Sequence, residues 1–482
     1  MINQFPRIVI NNFTLPQVPD TRMAKDLRSF IEQLKREAPD EIAEIEKEVS
    51  PDLEITAIIG KLEKERRTPL LHFKHVKGYD MPLVANVYCR YKKIALAMGV
   101  PEDRLFHEYL ARKSKSVPPR EVSDGPCKEI ILKGDDIDVT KLPVPRISPN
   151  DDAPYLGTPV TIARDIDRPQ FPLYNLGIYR HRIIDKRKIG LYYSWGKYFH
   201  YLHKKAEDRS EPFEVALAIG LHPLICISSM DQNHMHEFEL AGSLMGEPVE
   251  LVKCETVDLH VPAQAEIVIE GIMKPGARQR EGPFGEYPGY YGHIVDAPYV
   301  EITCMTHRNN PIYQHASSGK HAENVFFLGW EADLLSTLQR YYPTVSKVHM
   351  PFNVSPYFCF ITMRKLNEGD PISVATAAAG LQPLVKYAVV VDEDVNIYDD
   401  REVLWAISTR ARPDEDFVVI PRAKGNRLDP LTYTRMRNSR DGMVTKVVID
   451  ATVKTGLPYE LPEPIAEPMI DNINLKDYGI QL

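Results

Sequence analysis

Cysteine is scarce in this chain and widely scattered. Six residues, Cys89, Cys127, Cys226, Cys254, Cys304 and Cys359, occur in 482 positions. No C-x-x-C pair or dense framework is present, which argues against structural disulfides and a zinc ribbon. A reducing, cytoplasmic compartment fits that usage. Apolar runs of about 18 residues, long enough to cross a bilayer, are also missing. Met1 to Leu15 contain one arginine and no sustained apolar stretch of the kind a secretion signal needs. The sequence therefore reads as a soluble protein without a cleaved signal. Basic runs are absent as well: 59 basic against 67 acidic residues give a net charge of −8, and nothing points to nucleic acid or an anionic membrane as partner. No G-x-G-x-x-G, Walker A, G-x-S-x-G or H-E-x-x-H string occurs, which removes the commonest nucleotide, hydrolase and metalloprotease readings.

What is present suffices for at least two cores, and three sub-domains suit the length, with 43% hydrophobic and 26% charged residues. Leu27, Phe30, Ile31 and Leu34 recur at helical spacing and predict an amphipathic helix over Asp26 to Lys35, with Arg28, Glu32 and Lys35 in water. Ser50 before Pro51 has the cap-then-proline order of a second helix, running through Ile58. Five prolines between Leu142 and Pro159 mark a loop-rich stretch where a new unit begins. Val160 to Ala163, Ile189 to Tyr193, Glu214 to Gly220 and Glu266 to Glu270 then read as short strands of a compact β-rich core, a barrel being one form of it. Farther on, Tyr387 to Val391, Arg401 to Thr409 and Phe417 to Ile420 read as strand, helix, strand, which predicts a βαβ unit and a parallel sheet. The last residues are too mixed to assign, with Ile470 to Leu475 one candidate for a short docking helix.

Four strings carry candidate chemistry. Arg280 to Gly292 holds two prolines and four glycines, so Glu281 and Glu286 lie on a bent loop whose backbone approaches a ligand closely. They are candidates for proton transfer; two solvated acids on a turn are the alternative. In Asn175-Leu176-Gly177-Ile178-Tyr179-Arg180, strand alternation sends Asn175, Gly177 and Tyr179 to one face and Arg180 to the other. An arginine in an apolar strand needs a carboxylate, for function or as a structural ion pair. His234, His236 and Glu237 resemble a metal site, yet neither strand nor helix brings all three together, and a polar loop before a helix from Phe238 to Met245 is the preferred reading of them. Lys446 precedes an apolar strand, where it either holds a phosphate or lies on the surface.

Taken together, these strings resemble the UbiD family of prenylated-FMN-dependent decarboxylases and carboxylases, closest to its phenolic-acid decarboxylase branch. The resemblance runs over most of the chain: Asp26-Leu27-Arg28, Pro51 to Ile55, Ile162 to Asp165, Asn175 to Arg180, Gly242 to Thr256, Val261 to Gly271, Glu281 to Glu286, Arg308 to Ile312 and Glu402 to Ala406. E-G-P-F-G-E downstream of N-x-G-I-Y-R is its most specific part. The resemblance implies an α+β multidomain fold. Residues 1–120 would form an N-terminal α/β domain, 121–310 a central split β-barrel of flavin-reductase type that binds the cofactor, and 311–482 a C-terminal α/β domain with an oligomerisation tail. It also implies a homodimer or homohexamer and a flavin prenyltransferase that supplies the cofactor.

By the same resemblance the catalytic trio falls on Arg180, Glu281 and Glu286. The substrate, an aromatic or α,β-unsaturated acid, would form a covalent adduct with prenylated FMN and lose carbon dioxide, reversibly. Glu286 would protonate the adduct carbon, while Arg180 orients the carboxylate and couples to Glu281. Asn175 and Glu237 match ligands of a divalent metal, usually Mn2+; Ser228, Ser229 and Met230 match a segment that helps hold K+; and Lys446 matches a lysine on the cofactor phosphate. Ile178 and Tyr179 complete the cofactor-binding string. The family's third metal ligand, a histidine, lands on Lys197. Because a protonated lysine cannot ligate a metal, either His200 moves in, His236 substitutes, or the ammonium itself neutralises the phosphate; of these, His200 is preferred. Two other functions stay open: a non-catalytic or cofactor-altered subunit of an aromatic carboxylase, for which Lys197 argues, and a metal-dependent hydrolase centred on His234, His236 and Glu237.

Overall fold

The computed structural model describes residues 25–194, 196–231, 236–318, 325–351, 354–355, 357–426, 428–432, 442–456, 469 and 472–478. Asp26 accepts from the Ser29 backbone N–H while Ser29 Oγ accepts from that of Asp26, a reciprocal cap that starts the helix Leu27–Glu37. Its buried face is Leu27, Phe30, Ile31 and Leu34, as the spacing predicts. The second helix begins at Glu54 rather than Pro51 and continues past Gly60 to Lys64. Leu53 is left-handed, at φ 67°, so Pro51 and Asp52 form a turn instead of a first helical turn. The Glu54 carboxylate reaches back to accept from the Ser50 N–H at 2.8 Å.

Strands Ile42–Ile45, Leu70–Phe73 and Leu83–Ala85 form a sheet whose fourth member, Tyr313–Gln314, arrives from far along the chain and lies parallel to Leu83–Ala85. The central sheet has nine strands. Its order is Tyr155–Leu156, Arg180–Asp185, Lys188–Tyr192, Tyr299–His307, Ile267–Met273, Phe213–Ile219, Val160–Ala163 and Asn175–Ile178, with Ile130–Lys133 paired to the side of Tyr299–His307. Asn175–Ile178 ends that order and Arg180–Asp185 stands second from the other end, yet only Tyr179 separates them in the chain. The sheet must therefore curl until its ends approach, a half-barrel. Strand alternation gives it two buried faces. Ala216 and Ala218 pack with the helices Pro223–Ser228 and Glu237–Met245, whereas Leu217 and Ile219 pack with Ile55, Ile59 and Phe73 of the N-terminal unit.

Arg28 is expected in water but turns to this sheet instead, its Nε and Nη2 on the buried Glu266 carboxylate at 2.7 and 2.8 Å. Glu266 also accepts from Arg308 Nη1 at 3.1 Å and from the Ile312 N–H at 3.0 Å, and Arg308 Nη2 reaches Asp26 at 2.9 Å. This network fastens the first helix to the central unit. Glu266→Ala leaves two guanidinium groups short of their shared acceptor and is expected to cost about 3–5 kcal/mol, read as a lower urea midpoint in equilibrium unfolding.

The C-terminal sheet runs Val345–His349, Phe358–Met363, Tyr387–Val391, Met443–Ala451, Phe417–Lys424, with helices Leu328–Tyr341, Asp370–Leu381 and Asp400–Arg410 against it. Phe358–Met363, Tyr387–Val391 and Met443–Ala451 are parallel. The expectation of a parallel βαβ unit through Phe417 fails, because Phe417–Lys424 lies antiparallel to Met443–Ala451 at the sheet edge. A parallel strand is buried on both faces. Val448, Ile449 and Ala451 meet that demand, whereas Val418 and Val419 are exposed, so the later strand takes the inner place. Ile470 and Asp471 lie outside the described residues, which show a short helical turn at Leu475–Tyr478. Among the described residues no helix is long and apolar enough to cross a membrane.

Candidate active site

The loop carrying both acids is a folded-back hairpin between the paired strands Gln279–Glu281 and Val295–Ala297. Gly282 begins the fold-back at φ +90°, a conformation that costs glycine little. The Glu286 N–H then donates to Tyr290 O and the Gly292 N–H to Phe284 O, each at 2.9 Å. A side chain at Gly292 would place its Cβ 2.9 Å from Arg180 Nη1. The loop thus comes close enough for Arg180 to fork: Nη2 bonds Glu281 and Nη1 bonds Glu286 at 2.5 Å. The guanidinium also lies 4.2 Å from the Tyr192 ring centre and 5.1 Å from that of Phe284, so aromatic rings fix it as well.

Arg180 and Glu281 are almost fully buried, and Glu286 nearly so, with side-chain exposures of 8%, 1% and 13%. Burial works against the Arg180 charge, but Glu286 and Glu281 outweigh it and leave the guanidinium pKa above its ordinary value. Both carboxyls stand above theirs, because burial raises them more than Arg180 lowers them. Glu281 and Glu286 are therefore not solvated acids on a turn. A carboxyl whose hold on its proton is strengthened by burial is better suited to donating it than a solvated one.

Tyr179 separates Arg180 from a second cluster on the other strand. Asn175 Nδ2 donates to Glu237 Oε1 at 3.1 Å, while Asn175 Oδ1 is buried without a hydrogen bond among the described residues. Glu237 opens the helix Glu237–Met245. Burial pushes its carboxyl up to about 8. An amide oxygen without a donor, beside a carboxyl that forms no ion pair among the described residues, is a donor set that suits a hard cation. Tyr179 faces Glu237, and Ile178 packs on the main core.

Other predicted residues are placed less uniformly. Ser228 and Ser229 are buried, and their hydroxyls donate to Leu224 O and Cys226 O. Met230 O accepts from Trp330 Nε1 at 2.8 Å. Lys197 precedes the helix Tyr198–Asp208 and lies 5.4 Å from the Trp330 ring centre. Its side chain is exposed, yet surrounding protein, and then Lys424, hold its pKa below the usual value. His200 Nδ1 accepts from the Gly196 N–H at 3.3 Å, and its ring lies beside Tyr193. His236 caps the Glu237 helix without a side-chain hydrogen bond to it, and His234 lies outside the described residues. Among the described residues no three His, Cys, Asp or Glu side chains are grouped to hold a metal. Lys446 is buried in the C-terminal sheet, its ammonium on Ala379 O and Gln382 O at 2.5 and 3.0 Å, and burial lowers its pKa to about 8.

Sequence reading missed Trp330, which touches both Lys197 and Met230, and Phe327, which stacks on Trp330 at 4.7 Å and meets Tyr287 beside Glu286. It also missed Tyr192 and Tyr155. No local string marks them, because each acts across more than one unit of the fold or across the curled sheet.

Family models match three consecutive regions: 33–113 the N-terminal domain, 120–321 the Rift-related domain and 327–451 the C-terminal domain of 3-octaprenyl-4-hydroxybenzoate carboxy-lyase. Among solved structures, the UbiD-class enzyme HmfF from Pelotomaculum thermopropionicum, in complex with FMN, is 38% identical. That match covers 94% of this chain and all of HmfF at a TM-score of 0.83. Klebsiella pneumoniae 3,4-dihydroxybenzoic acid decarboxylase (AroY) is 26% identical over 93% of this chain and 99% of its own, at 0.84. Sedimentibacter hydroxybenzoicus vanillic acid decarboxylase is 29% identical over 95% and 100%, at 0.79. The three regions in order, and a forked arginine between two buried glutamates where the family strings meet, lead to one conclusion: the chain belongs to the UbiD family of carboxy-lyases.

Proposed function

We propose that this protein decarboxylates an aromatic or α,β-unsaturated carboxylic acid with prenylated FMN, without net oxidation, and that the reaction runs in both directions. The observation that carries this reading is the buried Arg180 fork. Related structures with FMN, and with prFMN in an evolved dimeric HmfF, support the flavin, and the 3,4-dihydroxybenzoic and vanillic acid decarboxylases support an aromatic acid. The curled central sheet would be the split barrel of flavin-reductase type, bounded near residues 121–310. The six buried cysteines, none in a disulfide, are compatible with a cytoplasmic setting, and a homodimer or homohexamer is the assembly we expect.

Asn175 and Glu237 would hold a divalent metal such as Mn2+, and backbone carbonyls near Ser228, Ser229 and Met230 would hold K+, both neutralising the cofactor phosphate. Lys197, kept near Lys424 despite like charge, suits the alternative in which its ammonium meets that phosphate directly. Lys446 has its ammonium on two helix-end carbonyls, so a phosphate contact would require it to exchange them. Bound prenylated FMN supplies an electron sink for the carbon that loses carbon dioxide. The chain does the rest. Arg180 orients the substrate carboxylate, Glu286 donates a proton to the carbon left behind, and the buried Phe284 beside Arg180 helps keep water from competing. Carboxylate plus one proton becomes product plus carbon dioxide, so Glu286 must regain a proton from solvent in each cycle.

Co-expression with a flavin prenyltransferase tests this reading. Native mass spectrometry with an absorbance spectrum should show one prenylated FMN and one divalent metal per chain, and hydroxybenzoates should lose carbon dioxide. An empty protein, prepared beside a relative that loads normally, would favour the altered subunit instead. Asn175→Leu should then lower cofactor retention at least tenfold, because it removes an oxygen ligand without emptying the core.

A further inference from the structure

Tyr155 stands behind the catalytic pair. Its ring packs on Phe284 at 4.5 Å, and its hydroxyl has three neighbours. It accepts from the Gly282 N–H at 3.2 Å, donates to Asp152 Oδ1 at 3.0 Å, and faces the Glu281 carboxylate. Asp152 is held in turn by Arg182, whose Nε and Nη2 lie 3.0 and 2.9 Å from Oδ2. Glu281 Oε2 takes Arg180 Nη2, but Glu281 Oε1 is buried with no hydrogen bond among the described residues.

Two carboxylates on one guanidinium leave a buried excess of negative charge, which a single shared proton removes. The pair then titrates as a unit, and what matters is which member holds that proton. We infer that Tyr155, clamped by Asp152 and Arg182, is a positioning residue that keeps the shared proton on Glu286. A tyrosine has one proton to give. When Glu281 is ionised, turning that proton to its buried carboxylate gains more than leaving it on Asp152, which Arg182 already serves and solvent reaches. The hydroxyl therefore favours ionised Glu281. Ionised Glu281 in turn neutralises Arg180, and Glu286 stays protonated and able to donate. The other charged or titratable groups facing the pair are Asp151, whose Oδ1 takes the Gly285 N–H and whose charge bears on Glu286, and Tyr192 against Arg180.

The inference rests on Glu286 being the proton donor, so its first test is independent of flavin and turnover. Infrared difference spectra of the unloaded protein at neutral pH report protonated carboxyl groups. The band of one carboxyl should shift in frequency in Glu286→Asp and stay in place in Glu281→Asp, substitutions that keep both negative charges on Arg180. In a Tyr155→Phe background, which keeps the ring packing, Glu281→Asp should now shift a large part of it. Asp152→Asn serves as the second variant: it leaves the tyrosine proton to Glu281, so the band should still track Glu286. A band that tracks Glu286 alone in Tyr155→Phe overturns the inference, as does the same relocation in Asp152→Asn. Loaded Tyr155→Phe should show kcat lowered about tenfold with KM little changed, since one lost hydrogen bond to a charged group shifts the proton by about one pH unit. If the proton relocates but kcat does not fall, the donor assigned to the reaction is wrong, while the role of Tyr155 in placing the proton stands.

Discussion

Glu286→Gln should lower turnover by about 100-fold or more while prenylated FMN stays bound, because a positioned general acid typically contributes that much. The amide keeps the side chain's shape and can still accept from Arg180 Nη1, which now bonds the carboxylate at 2.5 Å, but it has no acidic proton to give. The pH profile follows from the same group. Burial holds the Glu286 carboxyl above its ordinary value against the pull of Arg180. As an acid it works only when protonated, so activity should be full below its folded-state pKa and fall as pH rises through it. That alkaline limb should be missing from the residual activity of Glu286→Gln. Steady-state rates at several pH values, with cofactor content from absorbance, check both parts. Full activity in the variant would remove Glu286 as the donor.

Local patterns in the sequence revealed the parts of the fold that depend on local chemistry. The Leu27, Phe30, Ile31, Leu34 stripe gave a helix because its period is set within the element, and Val160–Ala163 and Phe213–Ile219 showed as strands for the same reason. Arg180, Glu281 and Glu286 were legible because unusual strings carry them. Their meeting was not, since it depends on a sheet that curls at Tyr179 and on a loop that folds back at Gly282. Asp26-Leu27-Arg28 and Arg308 to Ile312 likewise stood as separate strings, and only the fold joins them on Glu266. The order of the C-terminal sheet was hidden for another reason. Phe417–Lys424 and Met443–Ala451 are both apolar enough to be strands, and only their relative burial decides which lies inside. Tyr155 sits in the proline-rich stretch that reads as loop, and its contacts with Gly282 and Phe284 span more than a hundred residues.

Arg180→Ala is expected to abolish measurable turnover and also to destabilise the fold in a pH-dependent way. Removing one partner of a buried ion pair typically costs about 3–5 kcal/mol, and here two carboxylates lose the same partner. Glu281 and Glu286 already have folded-state pKa values above the unfolded value of about 4.3. The native state therefore binds more protons than the unfolded state from that pH upward, and this part of the stability declines as pH rises. Without Arg180 both groups move higher still, so the decline continues to higher pH and is steeper, by up to about 1.4 kcal/mol per pH unit for each carboxyl. The variant should fall furthest behind the wild type near pH 8 and recover much of the difference toward pH 5. Arg180→Lys should recover some stability but little activity, because one ammonium cannot fork to both acids in the plane that Tyr192 and Phe284 define. Urea unfolding of the three proteins at several pH values measures the gap. A difference that stays constant across that range would show that Arg180 is not what holds the two buried carboxyls in balance.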